Sequence, residues 1–205
     1  TENQKKYIEA INNSCVVFCS GPAGTGKSYL SIFMAVKYFL AGSVSKIILT
    51  RPAVEAGERF GFLPGDIREK IDPYLHPAYD ALHEFIGKIK TEKLIEDGKI
   101  EIAPIAFMRG VTFKNAFVVL DEAQNTTKMQ MKMFLTRLGE DSKMVINGDV
   151  TQTDLRDHDS GLNNAIKLLS DIEGISHVQI DSTYIQRHPI VMNIVQAYEK
   201  EERHG

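Results

Sequence analysis

Gly21-Pro-Ala-Gly-Thr-Gly-Lys-Ser28 sets three glycines, a lysine and a hydroxyl at the spacing G-x-x-x-x-G-K-[ST], which is the pattern of a loop that wraps phosphate. Gly21, Gly24 and Gly26 let the backbone curl until its N–H groups converge on phosphate oxygens, and side chains at those positions would obstruct the approach. Lys27 is long enough to reach the β and γ phosphates, and the Ser28 hydroxyl can ligate Mg²⁺. Pro22, Ala23 and Thr25 complete the loop and Tyr29 follows it. The ligand expected from this motif is a nucleoside triphosphate held with Mg²⁺.

Two further groups have the chemistry to act on such a ligand. Ala116-Phe-Val-Val-Leu-Asp-Glu122 is an apolar run that delivers two acids to one end. Asp121 is the candidate for the metal sphere, and Glu122 is the candidate base that accepts a proton from an attacking water. Lys143 to Asn147 is a similar run leading into Gly148-Asp149-Val-Thr-Gln152, whose Gln152 can sense a γ-phosphate or orient water. Arg187, in Ile185-Gln-Arg-His-Pro189, can stabilise charge developing on a transferred phosphoryl group. An ordinary acidic turn after a strand and an ion-paired surface arginine are the plain alternatives for Asp121-Glu122 and Arg187.

Positioning these groups requires strands that end at one edge. Apolar runs read as buried parallel strands recur at Cys15 to Ser20, Lys46 to Thr50, Ala116 to Leu120, Lys143 to Asn147 and His177 to Ile180. Tyr29 to Leu40 carries Leu30, Phe33, Met34, Val36 and Phe39 at helical spacing, and Gly42 stops it. The alternation predicts an α/β fold, a mainly parallel sheet covered on both faces, with ligands at the carboxyl ends of the strands. The 205 residues read as a single domain. Residues 55–108 stand outside the regular alternation as an insertion after the second strand. A helical run and a short strand at Ile100-Glu-Ile-Ala-Pro104 fall within it.

Composition narrows the partners. A net charge of −3 excludes a general basic field for nucleic acid, so any such site is a local groove. Arg51, Arg59, Arg68 and Lys70 could form one, with Phe60, Phe62, Tyr74 and Tyr79 available for stacking; a solvated face and core packing are the plain readings. Cys15 and Cys19 lie about 13 Å apart in a strand at ~3.3 Å per residue, so they do not bridge each other. They read as buried, reduced thiols of a cytoplasmic protein, with no membrane contact. The histidines show no ligand spacing with the cysteines that would hold zinc. Met129, Met131, Met133 and Phe134 read as a helix face packed on the sheet.

Several longer strings resemble the PhoH family of phosphate-starvation ATPases: Leu49-Thr-Arg-Pro-Ala-Val-Glu-Ala-Gly57, Gly61-Phe-Leu-Pro-Gly-Asp66, Met108-Arg-Gly110, Asp121-Glu-Ala-Gln-Asn125, Phe134-Leu-Thr-Arg-Leu-Gly139 and Arg187-His-Pro189. The resemblance runs from Thr1-Glu-Asn-Gln4 to Tyr198. It implies a three-layer RecA-like P-loop core similar to the first motor domain of superfamily-1 helicases, with ATP hydrolysis linked to RNA or another single strand. It also implies that Gln4 reads adenine, that Gly21 to Tyr29 hold the nucleotide, that Ser28 and Asp121 hold Mg²⁺, and that Gln152 senses the γ-phosphate. Arg187 then acts as a sensor or reaches a neighbour's nucleotide, which makes a homo-oligomer, with a hexamer as one form, the expected assembly. Where many members are expected to read Arg-Gly-Arg-Thr, this chain has Arg109-Gly-Val-Thr112 and lacks one cation. The nuclease and RNA-binding domains of longer relatives are not expected here, which argues against a processive monomeric helicase. A module that uses nucleotide to gate a protein partner is the alternative reading, and a small-molecule kinase a third, disfavoured by Glu122 beside Asp121.

Overall fold

A computed structural model describes residues 1–52, 67–151, 160–181, 190 and 194, and only the backbone of 67–74. Helix α1 (Glu2–Asn13) starts on a capping box in which the Thr1 hydroxyl accepts from the Gln4 N–H and the Gln4 side chain reaches back. Strand β1 (Val16–Ser20) leads into α2 (Lys27–Leu40), then β2 (Lys46–Arg51), α3 (Ile67–Ile86), α4 (Lys88–Glu96) and β3 (Ile100–Pro104). After β4 (Ala116–Leu120) come α5 (Lys128–Leu135), β5 (Lys143–Gly148), α6 (Gly161–Leu169) and β6 (Ile175–Gln179). The helices that follow β4 and β5 are also signalled locally: Thr127 and Gln130 form a capping box on α5, and the Ser160 side chain accepts from the Asn163 N–H at the start of α6.

The six strands form one parallel sheet in the order β3-β2-β4-β5-β1-β6. Period-two alternation sends neighbouring residues of each central strand to opposite faces. Val17, Cys19, Leu49, Val119 and Val145 pack under α1, α2 and α3, while Val16, Phe18, Ile48, Leu120 and Ile146 pack under α5 and α6. Both faces are covered, which is why β1 and β4 are buried along their whole length and read as continuous apolar runs.

The stretch after β2 contributes more to the sheet than an overlying insertion. Its short strand, β3, pairs in parallel with β2 as the sheet's edge, from Ile47 with Ile100 to Arg51 with Pro104, and α3 packs on α2. As an edge strand it is only half-buried in the middle, so its apolar signal is weak. Two other expectations are corrected. Cys15 precedes β1 and is exposed, whereas Cys19 is buried. On α5, Met131 and Phe134 are buried but Met129 is 81% exposed, because it projects from the first turn away from the sheet. No described helix is long and apolar enough to cross a membrane.

Candidate functional site

The glycine-rich loop is fixed at its root by two neighbouring strands. Ser20 pairs in register with Gly148 of β5 and with Gln179 of β6; the Gly21 N–H donates to Gly148 O (3.1 Å) and the Ile180 N–H to Ser20 O (2.7 Å). A Cβ on Gly21 would run into the Ile180 carbonyl, so a close backbone approach demands glycine there. Gly24 and Gly26 both take a φ of +83° in the left-handed region. Gly26 is the N-cap of α2 and carries no side chain to cap it, so the first N–H groups of that helix face the loop's interior. The helix dipole places partial positive charge at the same spot.

Lys27 folds back into the loop. Its Nζ donates to Gly21 O (2.6 Å) and Pro22 O (2.7 Å), and the Thr25 hydroxyl donates to Pro22 O (2.9 Å). Burial lowers the Lys27 ammonium pKa from its ordinary value. The other wall of the cleft comes from β4 and β5. Because β5 lies between β1 and β4, the end of β4 stands one strand removed from the loop, leaving a gap floored by Gly148 and Asp149.

Across that gap the Ser28 hydroxyl donates to Asp121 Oδ1 at 2.7 Å. Asp121 is also anchored by its N–H to Thr50 O (2.9 Å) and has Arg51 Nε 3.7 Å away. Desolvation raises the Asp121 carboxyl pKa, and Arg51 and Ser28 oppose that rise. Glu122 follows with φ +53°, a left-handed conformation that an ordinary residue adopts at a cost of about 1–3 kcal/mol. Its two carboxylate oxygens are both engaged: Oε1 accepts from Arg51 Nη2 (3.0 Å) and Oε2 from Gln124 Nε2 (2.6 Å). Gln124 Oε1 in turn accepts the Asp149 N–H (3.0 Å). Asp149 is 4% exposed, and its Oδ2 has no hydrogen-bond partner among the described residues.

The fold thus brings Gly21 to Ser28, Asp121 and Glu122 together from two strand ends, those of β1 and β4. The cleft between them is lined by Ala23, Gly24, Gly26, Lys27, Ser28, Tyr29, Asp121, Glu122, Gln124, Gly148 and Asp149. Gln4 adjoins it, with Nε2 3.4 Å from where a Cβ on Gly26 would stand. Tyr29 turns its hydroxyl outward to Glu84 Oε1 (2.7 Å) and its ring lies 4.7 Å from Phe85. Gln152 and Arg187 lie outside the described residues, as do Arg59, Phe60 and Phe62 and the side chains of Arg68, Lys70 and Tyr74. Arg51, read from sequence only as a groove cation, stands within the acidic wall. Sequence reasoning missed Gln124, although its place two residues after Glu122 in a 3₁₀ turn at Ala123–Asn125 was a readable signal. The donor set suits a hard divalent cation: a hydroxyl, a carboxylate hydrogen-bonded to it, and nearby a buried carboxylate oxygen with no partner among the described residues.

The PhoH-like protein family model matches residues 1–199. The chain belongs to the PhoH family. It is similar to a PhoH-like protein of Bacillus subtilis (strain 168), 56% identical over 202 residues, covering 98% of this chain and 63% of that one. It is also similar to Protein PhoH of Escherichia coli (strain K12), 44% identical over 200 residues, covering 96% of this chain and 56% of that one. The chain therefore spans somewhat less than two thirds of the length of these PhoH relatives. Among solved structures, the Pyrococcus furiosus Hef helicase domain shares the fold at a TM-score of 0.53 and 12% identity, over 90% of this chain and 39% of that one. The chain is accordingly an α/β protein of the PhoH family that shares the fold of that helicase domain.

Proposed function

We propose that this chain binds Mg-ATP and hydrolyses it, with turnover coupled to a single strand of RNA or DNA. The observation that carries the reading is the 2.7 Å pair between Ser28 and Asp121, set beside the uncapped start of α2 and immediately before Glu122. The loop and helix N–H groups bind phosphate oxygens, and Lys27 exchanges its loop carbonyls for the β and γ phosphates. Bound Mg²⁺ supplies charge neutralisation between the phosphates, and Ser28 and Asp121 are the residues that hold it. Glu122 accepts the proton of the attacking water, Gln152 senses the γ-phosphate, and Arg187 completes the site of a neighbouring copy in a homo-oligomer such as a hexamer. Gln4 reads adenine from the rim of the loop.

The test is steady-state ATP hydrolysis by wild type and Glu122→Gln, each with and without single-stranded RNA and DNA. Removing a general base costs about 10²–10⁴-fold; turnover that survives the substitution sinks the assignment. Stimulation by one type of strand supports the coupling and names its chemistry. Gel filtration with ATP tests assembly, and a lone 23.0 kDa species refutes the intersubunit role of Arg187.

A second reading, a nucleotide-gated interaction module, is favoured by one feature of the same site. Arg51 and Gln124 engage both oxygens of Glu122, which slows proton abstraction unless something draws them away. Hydrolysis that is slow and indifferent to nucleic acid supports this second account.

A further inference from the structure

A line of buried hydrogen bonds enters the phosphate loop from behind. The Tyr7 hydroxyl of α1 donates to Asn147 Oδ1 of β5 (2.5 Å), Asn147 Nδ2 donates to Ser31 Oγ of α2 (2.8 Å), and the Ser31 hydroxyl donates to Ser28 O (2.9 Å). Ser28 then donates through its own hydroxyl to Asp121. Tyr7, Asn147 and Ser31 are each 0% exposed, and they sit beside an apolar cluster that includes Ile11, Val17, Ala35 and Val145.

Burial alone gives no reason for polar atoms here. Replacing both members of a buried hydrogen-bonded pair by apolar groups of like shape is nearly neutral for stability, so Phe, Leu and Ala would fill this volume as well. The polar line does something an apolar core would not do: it gives the Ser28 peptide a fixed orientation. With its hydrogen committed to Asp121, the Ser28 oxygen can offer only a lone pair to a cation, and the Ser31 hydroxyl on the Ser28 carbonyl limits rocking of that first helical turn. Asn147 also immediately precedes Gly148 and Asp149, which line the same cleft.

We propose that Tyr7, Asn147 and Ser31 are positioning residues that hold Ser28 in the geometry needed for Mg²⁺, an inference that rests on the Mg-ATP reading above. Groups that orient metal ligands from one shell out typically change metal affinity by about 10–100-fold when removed.

The experiment compares wild type with Tyr7→Phe and Ser31→Ala. Hydrogen exchange at residues 27–31, measured without nucleotide or metal, is expected to quicken in both variants while the strands stay protected. Binding of Mn²⁺ to the ADP complex, read by electron paramagnetic resonance, is expected to weaken about 10-fold. The Mg²⁺ concentration for half-maximal hydrolysis should rise in step, the KM for ATP at saturating Mg²⁺ should stay within about 2-fold, and excess Mg²⁺ should restore kcat. Unchanged exchange at 27–31 together with unchanged Mn²⁺ affinity overturns the proposal, and so does a uniform loss of protection with no shift in metal dependence. Ser31→Ala places the best helix former in a helix and carries the test if Tyr7→Phe does not fold. A wild type that binds neither ATP nor Mn-ADP defeats the Mg-ATP reading instead, and the exchange arm still reports on the tether.

Discussion

Gln124→Met keeps the length of the side chain and removes both of its described polar contacts, which separates the structural and chemical parts of the acidic wall. The Glu122 side chain is 44% exposed, so loss of the 2.6 Å bond to its Oε2 is screened by water and costs at most about 1 kcal/mol. The Asp149 N–H is a different case. It lies in a residue that is 4% exposed, and stripping its acceptor leaves a buried donor unpaired, at about 1–3 kcal/mol. The sum is about 1–4 kcal/mol, which for a chain of this size lowers the melting temperature by about 2–16 °C. Calorimetry of wild type and variant measures that fall. Kinetics supplies the second half: with Glu122 Oε2 released from Gln124, kcat is expected to rise while the KM for ATP is little changed. A melting temperature within about 2 °C of wild type, or a raised KM with kcat intact, refutes the reasoning that Gln124 ties the β4 and β5 ends together.

Three further outcomes follow from particular contacts. Gly21→Ala drives a methyl group at the Ile180 backbone and should cost about 1–3 kcal/mol, seen as a lower unfolding midpoint in urea; an unshifted midpoint would show that β6 moves aside at little cost. Asp121 has a raised pKa, so its neutral form favours the fold at low pH and that contribution is lost as pH rises through the folded-state value. Metal-free Asp121→Asn should therefore gain on wild type in melting temperature as the pH climbs from about 4, and a gap that narrows with pH contradicts the sign. Burial pushes the Cys19 thiol up to about 12, so a thiol reagent at neutral pH should modify Cys15 in the native protein and Cys19 only after unfolding; two fast-reacting thiols would contradict the burial of Cys19.

Much of this arrangement is legible in the chain because separate signals agree. The loop glycines answer to backbone geometry, and Asp121 to a strand that is apolar throughout and then abruptly charged. Such strands are read well because both their faces are covered. Strand β3 is harder to place, since an edge strand half-buried in the middle looks like many other mixed segments. Arg51 was visible as a cation at a strand end, but its side-chain partners depend on which strand is the neighbour of β2. That neighbour, β4, lies far along the sequence. Tyr7, Asn147 and Ser31 gave no local sign of each other, because hydrogen bonds spanning 140 and 116 residues are set by strand order rather than by periodicity. Met129 misled for a related reason: four closely spaced apolar residues do not say which one a short helix turns outward.

The order of the sheet also governs when the loop can exist during synthesis. Strand β1 leaves the ribosome well before its flanking strands, β5 and β6, and the register of Val16 with Met144 sets its first partner 128 residues later. At about 5–20 residues per second, that is a wait of about 6–26 s in which Val16–Ser20 has neither neighbour. A nascent chain that stops short of Lys143 therefore presents a strand that is buried along its whole length in the finished protein as an unpaired apolar segment. Until β5 arrives, that segment is a substrate for chaperones, and the loop that follows it has no root.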